Sequence, residues 1–155
     1  MNELATKQEN SAISVIQQMV TSGNFDVSVA RELLEMQKDF MKQQGIINYN
    51  NDFALMSKEI PVIARTKKTH TTFYAPREDI VKAVQPILSK YGFSISFTTE
   101  QQGLEAVTVN CILQHKDGHS TKTALTLPTK AVNNSMNAMQ AIGAAISYGK
   151  RYTLC

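Results

Sequence analysis

The residues with the clearest chemical potential are the run Tyr148-Gly149-Lys150-Arg151-Tyr152, which places two cations between two aromatic rings. Cationic side chains contact phosphates and aromatic faces stack on bases, so this combination suits single-stranded nucleic acid bound without sequence preference. A simpler interpretation is that Tyr148 and Tyr152, one helical turn apart, pack on the core and leave Lys150 and Arg151 in solvent. The spacing of the residues leaves both interpretations open.

A second stretch contains the same mixture of basic and aromatic side chains. It runs from Arg65 through Lys67 and Lys68 to Phe73 and Tyr74, and we predict that it forms a basic, hydroxyl-rich loop. Residues 61–155 hold eleven basic and five acidic side chains, whereas residues 1–60 hold five basic and eight acidic ones. This asymmetry suggests a polyanionic partner for the C-terminal part of the chain. If the two stretches converge in space, they line a positively charged groove.

Other motifs do not meet the requirements of a catalytic or metal site. Gly149-Lys150 is followed by Arg151 rather than by Ser or Thr, so the pair is not a P-loop. His115 and His119 flank a predicted hairpin turn without a Cys or Asp ligand set around them, and we interpret them as turn residues. Because no nucleophile–base pair is recognisable, the sequence predicts no enzyme, no cofactor and no metal.

Three acidic residues keep an enzymatic alternative open. Glu78, Asp79 and Glu100 could serve as magnesium ligands of a nuclease. Glu78 and Asp79, however, stand at a predicted helix N-terminus, where the helix dipole favours acidic side chains in any case. A second alternative is a structural oligomer or adaptor whose basic surface recruits other proteins.

Periodicity predicts the elements that must position these residues. We predict helices over residues 12–22, 27–44, 52–58, 77–91 and 136–154. We predict strands over residues 93–98, 106–115 and 119–127. Phe93, Ile95 and Phe97 alternate with polar residues as in a half-buried strand, and short connections join the three strands into an antiparallel meander.

Several details of these elements can be tested against the structure. Gly45 is expected to end the second helix, Pro86 to kink or divide the fourth, and Pro128 to break the sheet. We expect Cys111 in the core and the cap of the last helix among residues 133–135. The expected apolar stripe of the second helix comprises Val29, Leu33, Met36, Phe40 and Met41. The expected packing face of the last helix comprises Met139, Ile142, Ile146, Gly149 and Thr153.

Composition limits the class of protein. The chain has 155 residues with two cysteines, which excludes a disulfide scaffold, and it has no apolar run of the length that a membrane helix needs. The polar start lacks the features of a secretion signal, so the cytoplasm is the default compartment. We predict an α+β fold with a helical leader over residues 1–50, a candidate oligomer interface, and a core domain over residues 51–155.

Three segments of the chain resemble the essential recombination function (ERF) family of phage single-strand annealing proteins. They are FYAPREDIVKAVQPILSKYGFSISF at 73–97, VTVNCILQHKDGHSTKTALTLP at 107–128 and MQAIGAAISYGKRYTLC at 139–155. The last segment is the most specific, and the whole resemblance covers roughly two-thirds of the chain in the correct order. Family members usually continue beyond this helix, so we expect the chain, which stops at Cys155, to be a truncated N-terminal domain.

The resemblance implies ATP-independent annealing of single-stranded DNA by large homo-oligomers, often rings, during phage recombination in the cytoplasm of a bacterial host. It also implies a β-β-β-α core similar to that of the eukaryotic annealing recombinase, with DNA in a basic groove. A phage exonuclease and the host single-strand-binding protein are further candidate partners. Carried over by position, Lys150 and Arg151 contact phosphates, with Arg65, Lys67 and Lys68 facing them. Tyr74, Tyr148 and Tyr152 are the candidate stacking residues.

Overall fold

The computed structural model describes residues 12–23, 25–68, 72–103, 105–129 and 136–154. Four helices and five strands occur in these ranges. In chain order they are α1 (Ala12–Thr21), α2 (Val27–Ser57), β1 (Lys67–Lys68), β2 (Phe73–Tyr74), α3 (Arg77–Lys90), β3 (Phe93–Gln102), β4 (Ala106–His115), β5 (Ser120–Pro128) and α4 (Ala138–Tyr152). The chain divides into two compact units, Met1–Ile46 and Ile47–Cys155.

Strands β3, β4 and β5 form an antiparallel meander in that order, as predicted. The register pairs Phe93 with His115 at one end, and Ala106 with both Gln102 and Pro128 at the other. Gly118 has a φ of 88°, which supplies the left-handed position of the β4–β5 hairpin turn. Strand β5 ends at Pro128, where the sheet was predicted to break, and this last position of an edge strand tolerates the missing N–H.

Helix α4 packs on β4 and β5, which confirms the predicted α+β architecture. The helix approaches the sheet at Gly149, where an added Cβ would lie 2.5 Å from a Val109 methyl carbon. The buried face carries Ala141, Gly149 and Thr153, so the predicted face was only partly right, and Met139 is 81% exposed. At Ala141 and Gly149 the side chains are small, and this allows the helix backbone to lie close to the strands.

The remaining core of the second unit lies between the sheet, α3 and the C-terminal part of α2. It is centred on Tyr49, Met56, Leu88 and Phe93. Cys111 is buried as predicted, and burial raises the pKa of its thiol. Helix α3 continues through Pro86, so of the two predicted effects of this proline, a kink or a division of the helix, the division does not occur.

Three contacts hold the C-terminal part of α2 against the β4–β5 hairpin. The Asn48 amide donates to Asp117 Oδ2 at 2.7 Å, and the Tyr49 hydroxyl lies 2.6 Å from Thr121 Oγ1. His115 Nε2 lies 3.0 Å from Asp52 Oδ2. His115, expected as a turn residue, is therefore the buried last residue of β4 and part of the packing.

The N-terminal part differs from the prediction in its helix boundaries. Helix α2 runs without interruption from Val27 to Ser57, so the predicted end at Gly45 and the separate helix over 52–58 were wrong. A glycine inside a helix costs about 1 kcal/mol, which the burial of Tyr49 and Met56 further along the same helix can offset. The predicted apolar stripe lies on α2 but is open: Met36 and Phe40 are each 68% exposed.

Candidate nucleic-acid interface

A cleft of about 860 Å³ lies between the segment before α3 and the last turns of α4. Both predicted stretches contribute to it, although they are more than seventy residues apart in the sequence. The predicted site residues that line this cleft are Arg65, Tyr74, Tyr148, Arg151 and Tyr152. The structure therefore brings five of the eight predicted residues together on one surface.

Arg151 occupies the centre of an aromatic group. Its guanidinium carbon lies 4.8 Å from the ring centroid of Tyr74, 5.3 Å from that of Tyr148 and 5.0 Å from that of Tyr152. All three distances are within the range of a cation–π interaction. The three rings thus hold the only arginine of α4 at the wall of the cleft.

Tyr148 and Tyr152 stack on each other because they stand four residues apart on α4. Their ring centroids are 4.1 Å apart and the rings are inclined by 25°. The two side chains are 44% and 51% exposed, so they do not pack in the core as the simpler interpretation required. The hydrogen bond with the Tyr152 hydroxyl raises the pKa of Tyr148 above its ordinary value of 10.0, further from neutral pH. Exposed, neutral aromatic faces next to a cation are suited to stacking on bases.

The strand pair β1–β2 sets the position of Tyr74 and of the two lysines before it. Lys67 pairs with Tyr74 and Lys68 with Phe73 in antiparallel register. Lys68 Nζ lies 5.7 Å from the Phe73 ring centroid. Residues 69–71 of the predicted loop lie outside the described residues. Lys67 and Lys68 are exposed beside the cleft but are not among its lining residues.

Lys150 contacts a different aromatic residue from its neighbour Arg151. Its Nζ lies 5.8 Å from the Phe97 ring centroid, and the guanidinium carbon of Arg77 lies 5.6 Å from the same ring. Neither Arg77 nor Phe97 was singled out as a site residue. The signal was present only indirectly, since Arg77 follows Tyr74 by three residues and Phe97 belongs to the alternating pattern of β3.

In the part of the chain that the structure describes, neither Arg65 nor Arg151 forms an ion pair with a carboxylate. Asp79 accepts a hydrogen bond from Thr66. Glu100 accepts one from the Asn110 amide. No group of three or more acidic, His or Cys side chains suited to a metal ion occurs among the described residues. The three acids of the nuclease alternative are thus not assembled into one site.

The N-cap of α4 is Asn137, which lies later in the sequence than the predicted cap residues. Asn137 Oδ1 accepts a hydrogen bond from the Gln140 backbone N–H at 2.8 Å, and the Gln140 side chain accepts one from the Asn137 N–H at 3.1 Å. This is a capping box, which satisfies two backbone donors that the helix itself leaves unpaired. The predicted cap residues 133–135 lie outside the described residues.

A family model described as the ERF superfamily matches residues 49–155, which include the whole cleft and most of the chain. The chain belongs to the ERF superfamily. Membership in the ERF superfamily supports a general role in phage recombination and strand annealing. No curated protein and no solved structure matches the chain significantly. None of the described helices is long and apolar enough to cross a membrane.

Proposed function

We propose that this ERF protein binds single-stranded DNA in the cleft and anneals complementary strands without ATP, as an oligomer, during phage homologous recombination. The observation that carries the proposal is the meeting of Arg65 and Arg151 with three tyrosines in one cleft, of which Tyr148 and Tyr152 are exposed and Tyr74 is half-buried. Guanidinium groups bind phosphate oxygens in a bidentate manner, and aromatic rings stack on any base. The cleft therefore offers binding without sequence preference.

The mechanism needs no chemical step at the protein. Base pairing between complementary strands is itself favourable, so the protein has to hold strands extended and raise their local concentration. Arg65 and Arg151 bind the DNA backbone. Bases stack on the rings of Tyr148 and Tyr152 instead of on one another, which keeps the strand extended. Release of counterions from the phosphates supplies much of the affinity, and binding therefore weakens as salt increases.

The helical leader, residues 1–50, is proposed to join subunits, with residues 51–155 as the annealing core. Met36 and Phe40 stand four residues apart on one face of α2, and both side chains are largely exposed. In an isolated subunit this face leaves a row of large apolar side chains in water, which is typical of a surface that another chain covers. A second copy of the same leader presents the same apolar row and is the proposed occupant.

The proposal can be tested by fluorescence anisotropy with a labelled random single strand and by annealing of two complementary strands without nucleotide. Replacing Arg65 and Arg151 by Gln should weaken binding at least tenfold, because two charge-assisted phosphate contacts are lost, each of about 1.5–3 kcal/mol. Annealing should slow in parallel, and wild type should anneal without ATP.

Lys122→Gln is the matched control for loss of charge. Lys122 lies on β5 and its side chain projects from the sheet face opposite to α4, because Leu127 contacts α4 and side chains alternate along a strand. This variant should bind like wild type. If wild type does not bind the single strand, or if the double arginine variant binds as tightly as Lys122→Gln, the proposed site is wrong. A nucleic-acid-independent adaptor would give the first of these results.

A further inference from the structure

A second cluster of cations around an aromatic ring lies next to the cleft. Arg77 at the start of α3 and Lys150 on α4 both contact the ring of Phe97 on β3, at 5.6 and 5.8 Å. In the described ranges, neither cation forms an ion pair with a carboxylate. Two like charges that share one ring without an acid between them repel each other, and an anion that binds both of them would relieve this repulsion.

Arg77 shows a second sign of an anion-binding site. Its Nε atom is buried and has no hydrogen-bond partner among the residues that the structure describes. Buried donors are almost always paired in folded proteins, and an exception calls for an explanation such as a missing ligand. Arg77 and Phe97 also line a cavity of about 250 Å³ between α3 and β3, in which apolar side chains outnumber polar ones; Lys150 is not among its lining residues. Apolar walls strengthen the attraction between the guanidinium and an anion.

The cluster around Phe97 and the cleft are linked through two short stretches of the sequence. Arg77 follows Tyr74 of the cleft by three residues, and Lys150 immediately precedes Arg151 of the cleft. Consecutive Cα atoms are only about 3.8 Å apart, so Lys150 and Arg151 leave α4 close together. Their side chains diverge by about 100° around the helix axis and contact different rings, Phe97 and Tyr74. A flexible phosphodiester chain that leaves the cleft at Arg151 therefore meets Lys150 next.

We propose that Arg77 and Lys150 form a phosphate-binding site that takes the backbone of the same single strand where it leaves the cleft. Phe97 acts as a positioning residue, because its ring holds both cations in place. This inference rests on the proposed function and extends it: the strand crosses the end of α4 from the Arg65–Arg151 cleft to the Arg77–Lys150 site. This path adds Arg77 to the residues that contact DNA.

The test measures the affinity for one labelled random single strand, with no complementary strand present, over a range of salt concentrations. For single strands, each phosphate contact contributes about 0.7 to the slope of log affinity against log salt concentration. The double variant Arg77→Gln/Lys150→Gln should lower the magnitude of this slope by about 1.4. The control Lys122→Gln should leave the slope unchanged, and Arg65→Gln/Arg151→Gln reports on the cleft itself.

The outcomes separate this inference from the function on which it rests. A wild-type slope in Arg77→Gln/Lys150→Gln, together with a reduced slope in Arg65→Gln/Arg151→Gln, would overturn the second site and leave the cleft intact. Unchanged slopes in both double variants would overturn both. Normal binding of one strand with slowed annealing in Arg77→Gln/Lys150→Gln would assign the site to a second strand and contradict the continuous path.

A further variant distinguishes phosphate binding from packing. Arg77→Lys keeps the positive charge and should retain most of the wild-type slope. Equal stability of the variants in urea and an unchanged circular dichroism spectrum establish that they are folded. A slope in Arg77→Lys as low as that in Arg77→Gln, with both proteins folded, would show that the guanidinium serves packing and would contradict the proposal.

Discussion

The approach of α4 to the sheet at Gly149 yields a quantitative prediction about the element that carries Lys150 and Arg151. A Cβ at position 149 would lie 2.5 Å from Val109 Cγ2 and 2.8 Å from Val109 Cβ, and 3.3 Å from Leu127 Cδ1. Val109 is completely buried and β-branched, so it cannot rotate away from the added methyl group. Gly149→Ala must therefore move the helix or the strand.

The magnitude follows from two opposing effects. Overpacking of a core contact costs about 1–3 kcal/mol, and the rigid neighbour places this case near the upper end. Alanine is favoured over glycine inside a helix by about 1 kcal/mol. We expect Gly149→Ala to lower the free energy of unfolding by roughly 1–2 kcal/mol.

Gly143 on the same helix provides the matched control. An added Cβ there meets nothing within 4 Å, so Gly143→Ala should gain only the helix propensity and stabilise the protein by up to about 1 kcal/mol. Urea denaturation at one fixed protein concentration measures both free energies of unfolding. Adding Val109→Ala should make the 149 substitution less harmful, because it removes the clashing methyl groups. Equal stability of the two glycine variants would refute the inferred close approach.

Three further predictions concern other parts of the structure. Asn137→Ala removes the cap of α4 and should destabilise the protein by about 1 kcal/mol in urea denaturation, whereas an unchanged midpoint would contradict the capping role. The hydrogen bond from Lys90 lowers the pKa of Glu59 from its ordinary value of 4.5; the stabilisation is therefore present above pH 4.5 and is lost as pH falls through the lowered value. The stability difference between wild type and Glu59→Gln should accordingly disappear in acid, and a difference that persists there would show that its origin is not this carboxylate. Met36→Ser/Phe40→Ser should reduce the mass of the oligomer in light scattering, and an unchanged mass would exclude this face as the subunit interface.

The sheet and most helix positions were predictable because their signals are local. Alternation at Phe93, Ile95 and Phe97 requires only neighbouring residues, and the Asp117-Gly118 turn marks the hairpin directly. The continuous α2 was not predictable in this way. Its passage through Gly45 is compatible with the burial of Tyr49 and Met56 against distant α3 and β3, and this packing is a tertiary effect.

The candidate site was predictable in its residue types but not in its grouping. Arg65 and Arg151 were recognised as cations near aromatic residues, yet only the folded chain shows that they line one cleft. Lys150 and Arg151 are adjacent in the sequence, and only the folded chain shows that their side chains diverge to Phe97 and Tyr74. Arg77 carries only an indirect signal, its position three residues after Tyr74, because its contact with Phe97 joins separate elements.

Photocrosslinking tests the central claim most directly. A single strand that carries 5-iodouracil at scattered positions is irradiated with the full-length chain, and the crosslinked peptides are identified by mass spectrometry. The account predicts crosslinks at Tyr74, Tyr148 or Tyr152, which disappear in Arg65→Gln/Arg151→Gln. Crosslinks that fall outside both the cleft and the cluster of Arg77, Phe97 and Lys150, or cleft crosslinks that persist in this variant, would contradict it.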